Sequence, residues 1–415
     1  MPVDQKNIPV DQLQRGMYIA KLDRPWIETP FPLQGFFVRD LKDIDLLRRF
    51  CKEVWIDIAR SRVEVPPVVH DIEPGGLPNA DASASKTRRP QVYRTTVSMP
   101  QEVSASRSLH LEITDSVTQV FTSYRSGSKS VDLQETQDKA ARMVESVIRN
   151  PDAMVWLSRV RDADAYSYHH ALRCSIWAIV FGRHLGISKK TLDNLAMGTL
   201  MMDLGKARLP SGLISKRGIL TAAERVELRR HVDYSLEIIA GMPGMSDQVV
   251  QIIAEHHERY DGTGYPKMLA GRDISPLGKI AGLVDTYDAM TSERPYARAL
   301  TSVEAVSKLY ELRGTEFQAQ LVEEFIQAIG VYPTGSLVHL SSQEIGVVIA
   351  QNPDRRLRPK LLVLLDADKK VLGKPRYLDM MSVTHDQRGE PLRILTGLLP
   401  GAYGVDPARV QLAAA

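Results

Sequence analysis

Apolar residues recur every three or four positions through most of the stretch from 166 to 329, and this spacing predicts a domain built of helices. Segments 166–185, 189–204, 221–241, 246–257 and 277–291 each carry one apolar stripe, and 302–329 adds two more helices. Gly- and Pro-bearing breaks at 262–266 and 271–276 read as loops. Upstream the pattern changes. Runs at 16–22, 36–38 and 54–58 read as strands, and 40–51 between them sets Leu41, Ile44, Leu47 and Phe50 at helical spacing. Residues 65–98 are rich in Pro, Gly, Ala and Ser, lack periodicity and read as a mobile linker. From 100 to 150 the helical pattern has polar faces. A packed helix pair is the simpler reading there, against a signal-transmitting or dimerising connector. At the C-terminal end 336–340, 346–350 and 361–365 read as strands joined by turns such as 351–354.

The expected fold class is therefore mainly α, with a small N-terminal α/β module and a β-rich C-terminal appendix. The boundaries are 1–64 for a regulatory module, 65–98 for a flexible linker and 99–150 for a helical connector. The helical domain spans 151–332 and the β-rich region 333–415. No internal repeat is visible.

Composition narrows the class without choosing a function. The chain has 415 residues, 43% hydrophobic and 25% charged, which fits an ordinary globular protein with a large core. A net charge of +3 gives no signal for a nucleic acid polymer or an anionic membrane. Cys51 and Cys174 are too few and too far apart for a disulfide framework, which points to a reducing cytoplasm. The most apolar stretches, 174–182 and 360–367, are too short to cross a bilayer. The N-terminal MPVDQKNIPVDQL has acids and no apolar core, so it does not read as a secretory signal.

The candidate chemistry centres on His256-His257, two adjacent imidazoles with further donors at helical distances. His170 lies near the start of a long helix and Asp203 near the end of the next, one turn before Lys206. His231 begins the second half of a helix led by the capping box Thr221–Glu224. His256 and His257 end a helix, and Asp285 sits mid-helix. A lone helical His is more often a core or capped residue than a ligand. Six donors on facing helices instead suit a pair of divalent transition metals that activate a water, with Asp203 as the natural bridge.

Residues 151–330 resemble the HD-GYP family, a branch of the HD phosphohydrolases. The matching text is Met202-Asp203-Leu204-Gly205-Lys206 with Pro210, 216–221, His231, and the run from His256 to Pro266 with Gly262, Gly264 and Tyr265. Gly271, 285–292 and Arg294-Pro295-Tyr296 follow. The resemblance implies an HD-type helical bundle that hydrolyses the bacterial messenger cyclic di-GMP to pGpG or GMP with two divalent ions, iron or manganese. It implies that His170, Asp203 and Asp285 hold one ion, and that His231, His256 and His257 hold the other with Asp203 shared. Asp203 and Lys206 would be catalytic. Lys206, Gly264, Tyr265, Pro266 and Arg294 would meet the substrate, Arg294 through a phosphate. The N-terminal module is similar to one that often precedes this domain. The implied partner is cyclic di-GMP; a diguanylate cyclase docked on the 262–266 loop, or another signalling protein, belongs to the non-catalytic adaptor alternative, and a homodimer is compatible. The usual outputs are biofilm, motility and virulence.

Three positions depart from the family pattern. Met202 stands where the His of the His-Asp pair is expected, and a thioether is a poor ligand for hard ions. His169 cannot simply replace it, because it projects about 100° away from His170 on a helix. One ion is thereby weakened. Tyr166 stands where three-metal members carry a carboxylate, so no third ion is expected. Ala297 stands where a basic residue is common. The resulting alternatives are a slower phosphodiesterase with water filling the gap, or a cyclic di-GMP receptor or protein adaptor that does not cleave. An HD phosphohydrolase for another nucleotide is a third alternative, disfavoured by the 262–266 loop. Arg355-Arg356-Leu357-Arg358 reads as a solvated turn, and His70, His110, His184, His339 and His385 fit no constellation.

Overall fold

The structure is a computed structural model that describes residues 5–23, 36–38, 41–58, 61, 63, 91–127, 134–159, 166–216, 218–240, 242, 244–294, 298–352 and 355–410. The described residues between 5 and 63 belong to one compact unit, and those from 91 to 352 and from 357 to 410 to the other.

In the first unit β1 (Gln5–Pro9), β2 (Tyr18–Leu22), β3 (Phe36–Phe37) and β4 (Glu53–Asp57) make an antiparallel sheet in the order β1-β4-β2-β3. Helix α1 (Leu41–Phe50) carries Ile44 and Leu47 into a core with Ile19, Val54 and Ile56. Sequence pattern missed β1, whose five residues include only one large apolar side chain, Ile8.

The second unit is a helical body. Helices α2 (Met99–Arg125), α3 (Gln134–Arg149) and α4 (Pro151–Leu157) share one buried core with α5 (Tyr166–His184) and α6 (Lys189–Met201). The packed-pair reading of 100–150 therefore fits, since α2 and α3 belong to the body of the domain. The linker reading is corrected at its end. Residues 64–90 lie outside the described residues, but Gln91 bonds to Gly186, Tyr93 Oη to the Ile187 carbonyl and Thr96 to Arg149.

Around α5 and α6 lie α7 (Ser211–Ile214), α8 (Ala222–Arg229), α9 (His231–Ala240), α10 (Asp247–Glu255), α11 (Pro276–Thr291), α12 (Ser302–Glu311) and α13 (Ala319–Ile329). Serine and threonine set several starts: Ser188, Ser246, Ser275 and Thr301 accept from the first-turn amides of α6, α10, α11 and α12. The stripes of these helices meet in a core that includes Phe181, Leu195, Ile252, Leu283 and Phe325.

Two boundaries differ in ways that matter. Segment 221–241 breaks at Arg230 into α8 and α9, so His231 opens a helix instead of continuing one. Segment 189–204 likewise ends early, at Met201, and Asp203 precedes a short 3-10 turn over Leu204–Arg208.

The C-terminal region is a five-stranded antiparallel sheet, order β8-β7-β6-β5-β9. The strands are β5 (Leu337–Leu340), β6 (Ile345–Ala350), β7 (Lys360–Leu365), β8 (Val371–Asp379) and β9 (Ile394–Leu398). Asp152 at the start of α4 ties this sheet to the helices, accepting from Thr334 and from the Gln351 amide. Among the described residues no helix is long and apolar enough to cross a membrane.

Candidate metal centre

The site forms where the end of α6, the starts of α5 and α9, the end of α10 and the middle of α11 converge. Asp203 is at its centre, 2% exposed. Gly205 makes the approach of its turn to α9 possible: a Cβ there would lie 2.0 Å from the His231 carbonyl oxygen and 2.5 Å from the Ser235 amide nitrogen. Ser235 locks the junction, accepting from the Gly205 amide at 2.7 Å and donating to the Met202 carbonyl at 2.9 Å.

The six nitrogen and carboxylate donors expected from sequence fall into two groups that share Asp203. One holds Asp203, His231, His256 and His257, and the other His170, Asp203 and Asp285. Asp203 Oδ1 lies 3.3 Å from His231 Nε2 and 3.8 Å from His256 Nε2. Its Oδ2 lies 3.6 Å from His170 Nε2, which is 3.0 Å from Asp285 Oδ1. His257 spans the groups, 3.1 Å from His231 Nε2 and, through Nδ1, 3.8 Å from Asp285 Oδ2.

Backbone carbonyls set the tautomers. His231 Nδ1 donates to the Leu228 carbonyl at 2.6 Å and His256 Nδ1 to the Ile253 carbonyl at 2.8 Å. Each Nε2 therefore presents a lone pair inward. His256 Nε2 and Asp203 Oδ1 are buried without a hydrogen-bond partner among the described residues, although they face each other. Two buried acceptors with no proton between them are costly unless a cation joins them. Their 3.8 Å separation is shorter than two metal–ligand bonds of about 2.1 Å placed end to end. The residues present fit a metal.

The electrostatics of the His231 group agree, while in the metal-free protein burial opposes the charge of His170 but Cys174, Asp285 and Asp288 hold it above the usual histidine range. Burial, with neighbouring imidazoles, lowers His257 well below the usual histidine range, and burial lowers His256 and brings His231 to about 4. Neutral imidazole is the ligating form. Burial alone would raise Asp203 and Asp285, but Lys206, His231 and His170 hold the Asp203 carboxyl below the ordinary range. His170, then His256, do the same for Asp285. Lys206 Nζ is 2.5 Å from Asp203 Oδ2.

Met202 is wholly buried, part of the apolar core, and caps the end of α6. Sequence reasoning gave no role to the residues that hold His170. Asp288, one turn beyond Asp285, lies 2.8 Å from His170 Nδ1, and Arg173 donates to both Asp288 oxygens. A signal was present: Arg173 is one turn from His170, as Asp288 is from Asp285. Glu258 is a second such residue. Buried, it accepts from the amides of Lys267 and Leu269 and so closes the 262–266 loop.

That loop lies against the metal centre. A Cβ on Gly264 would come within 2.4 Å of the Arg259 amide nitrogen and 2.6 Å of the His257 carbonyl, so only glycine fits. Tyr265 precedes Pro266 through a cis peptide, and its ring stacks on His257 with centroids 4.5 Å apart. Arg294 lies just past α11 and is partly buried, while 295–297 with Ala297 lie outside the described residues. The side chain of Tyr166 is likewise not described.

The chain matches the HD domain family over residues 157–321, a KOW domain associated with HD domains over 337–385, and a domain of unknown function over 5–136. It is 32% identical over 377 residues to a cyclic di-GMP phosphodiesterase of Pseudomonas aeruginosa, covering 90% of this chain and 89% of that one. It is 35% identical over 156 residues to a cyclic di-GMP phosphodiesterase response regulator of Xanthomonas campestris, covering 37% and 41%. A cyclic di-GMP phosphodiesterase of Thermotoga maritima is 30% identical over 175 residues, covering 41% and 46%. A solved HDG"Y"P protein from Bdellovibrio bacteriovorus aligns with a TM-score of 0.45 and 17% identity, over 78% of this chain and 98% of that one.

Proposed function

The chain belongs to the HD-GYP family, and we propose that it is a metal-dependent phosphodiesterase that hydrolyses cyclic di-GMP to pGpG or GMP. The observation that carries this reading is the position of Asp203, whose two oxygens face two different donor groups. A carboxylate so placed suits two ions held side by side.

His170, Asp203 and Asp285 would hold one ion, and His231, His256 and His257 the other with Asp203 shared; iron or manganese suits these nitrogen and oxygen donors. When bound, the ions would activate a water and neutralise charge growing on the phosphate oxygens. The chain's own residues do the rest. Backbone carbonyls hold His231 and His256 in the ligating tautomer. Lys206, beside Asp203, brings positive charge to the edge of the site, where it offsets charge on the leaving oxygen or gives it a proton. Gly264, Tyr265 and Pro266 form the nucleotide-side wall, and Arg294 takes a phosphate.

Met202 favours a second reading. Its buried thioether leaves the His170 group one imidazole short of the family pattern, so a receptor or adaptor that binds cyclic di-GMP without cleaving it is the alternative. Turnover separates the two. Protein reconstituted anaerobically with iron or manganese is expected to convert cyclic di-GMP to pGpG or GMP. Activity confined to a Met202→His variant would establish the receptor.

A further inference from the structure

We propose that Arg229 is a further substrate-binding residue, one that grips the second, non-scissile phosphodiester of the cyclic dinucleotide. The inference rests on the phosphodiesterase reading above and deepens it at the same site.

Arg229 is the last residue of α8, two positions before His231. Its guanidinium carbon lies 4.8 Å from the centroid of the Tyr265 ring. The same ring stacks on His257 at 4.5 Å. One aromatic ring thus separates Arg229 from the metal centre, and the break at Arg230 that turns His231 inward also sets where Arg229 stands.

Its charge is uncommitted. Arg229 is exposed and, among the described residues, has no carboxylate partner. Its neighbours are committed: Arg230 pairs with Glu227 at 3.2 Å, Lys216 with Glu224 at 2.6 Å and Arg208 with Glu237 at 2.7 Å. Lys206, the cation closest to the donors, is engaged by Asp203. A guanidinium resting on an aromatic face keeps its in-plane N–H donors free, and that fork matches the oxygens of a phosphate.

The ligand chemistry follows. A cyclic dinucleotide carries two phosphodiesters. The one being cleaved would be countered by the metals and Lys206, and with Arg294 placed on a phosphate beyond the end of α11, the other diester still gains from a cation on the Tyr265 side of the rim. Tyr265, itself stacked on His257, supplies a platform that holds this cation beside the metal centre.

The test compares two substrates in the wild type, Arg229→Gln and Arg229→Lys: cyclic di-GMP, and bis(p-nitrophenyl) phosphate, which has one diester only. The ratio of kcat/KM on the first to that on the second is expected to fall roughly 10-fold or more in Arg229→Gln, mostly through KM. Partial recovery is expected in Arg229→Lys. An unchanged ratio, or equal loss on both substrates, would overturn the proposal. If the wild type cleaves neither substrate, the phosphodiesterase reading fails, and the dissociation constant for cyclic di-GMP decides the role of Arg229 alone. Binding weakened about 10-fold by Arg229→Gln upholds it, and unchanged binding overturns it.

Discussion

His170 Nδ1 lies 2.8 Å from Asp288 Oδ2, inside a carboxylate that Arg173 grips through two further hydrogen bonds of 2.7 and 3.0 Å. The ring is therefore held at its outer edge, and its Nε2 is aimed at Asp285 and Asp203. Such outer carboxylates fix the orientation and basicity of a ligating imidazole.

Replacing Asp288 by Asn keeps the shape and removes the charge. Affinity for the ion of the His170 group is expected to fall roughly 10- to 100-fold, read by metal titration, with the fold retained. Asp288→Ala leaves Arg173 without its buried partner and is expected to cost about 3 kcal/mol of stability, read by urea unfolding. An Asn variant that binds metal as the wild type does would remove Asp288 from the account.

Gly264→Ala puts a methyl group 2.4–2.6 Å from backbone atoms of residues 257–259. The chain must shift, and His257 lies on the part that shifts. A loss of about 1–3 kcal/mol is expected, seen as a lower Tm, together with a raised KM for cyclic di-GMP.

His110 gives a pH dependence with a definite sign. It is buried on α2, and its Nε2 has no hydrogen-bond partner among the described residues. Burial first, then the charges of His169 and Arg107, bring it down to about 4. An unfolded histidine titrates near ~6.5, so between these values the unfolded chain binds more protons. Its contribution is present above about pH 6.5 and is lost as the pH falls towards 4. His231, also brought to about 4, acts in the same direction in metal-free protein. His170 is held well above the usual histidine value: burial opposes its charge, but Cys174, Asp285 and Asp288 outweigh burial. A raised value gives stability that is present below about pH 6.5 and lost only as the pH rises above it, so His170 adds little slope below that pH. Urea midpoints of metal-free protein should drop between pH 6.5 and 4.5, and His110→Gln should flatten that slope by about one proton.

Much of this molecule was legible from spacing. The stripes of α10 and α11 could be read because each pairs a serine cap with apolar residues at helical spacing. The break at Arg230 could not. No Gly or Pro marks it, and the structure places it where His231 meets Gly205, a contact between segments 26 residues apart in sequence. Strand β8 was hidden for a local reason: Gly373 and Pro375 lie within it, which an edge strand tolerates. The donor residues stood out because two adjacent histidines are an unusual text. Asp288, Arg173 and Glu258 did not, because their roles depend on partners that only the packing of α5 on α11, and the folding-back of the loop onto α10's end, bring near. His184 and His339, left without a role, find Glu324 and Lys369.

The central claim is that Asp203 joins two ions in one phosphodiesterase site. It is tested most directly by measuring bound metal and cyclic di-GMP turnover on the same anaerobically reconstituted sample, for wild type and Asp203→Asn. The account predicts two ions per chain with turnover in the wild type. In Asp203→Asn it predicts fewer ions and activity reduced beyond the roughly 10- to 100-fold typical of losing an outer partner. Wild-type levels of both metal and turnover in Asp203→Asn would contradict it.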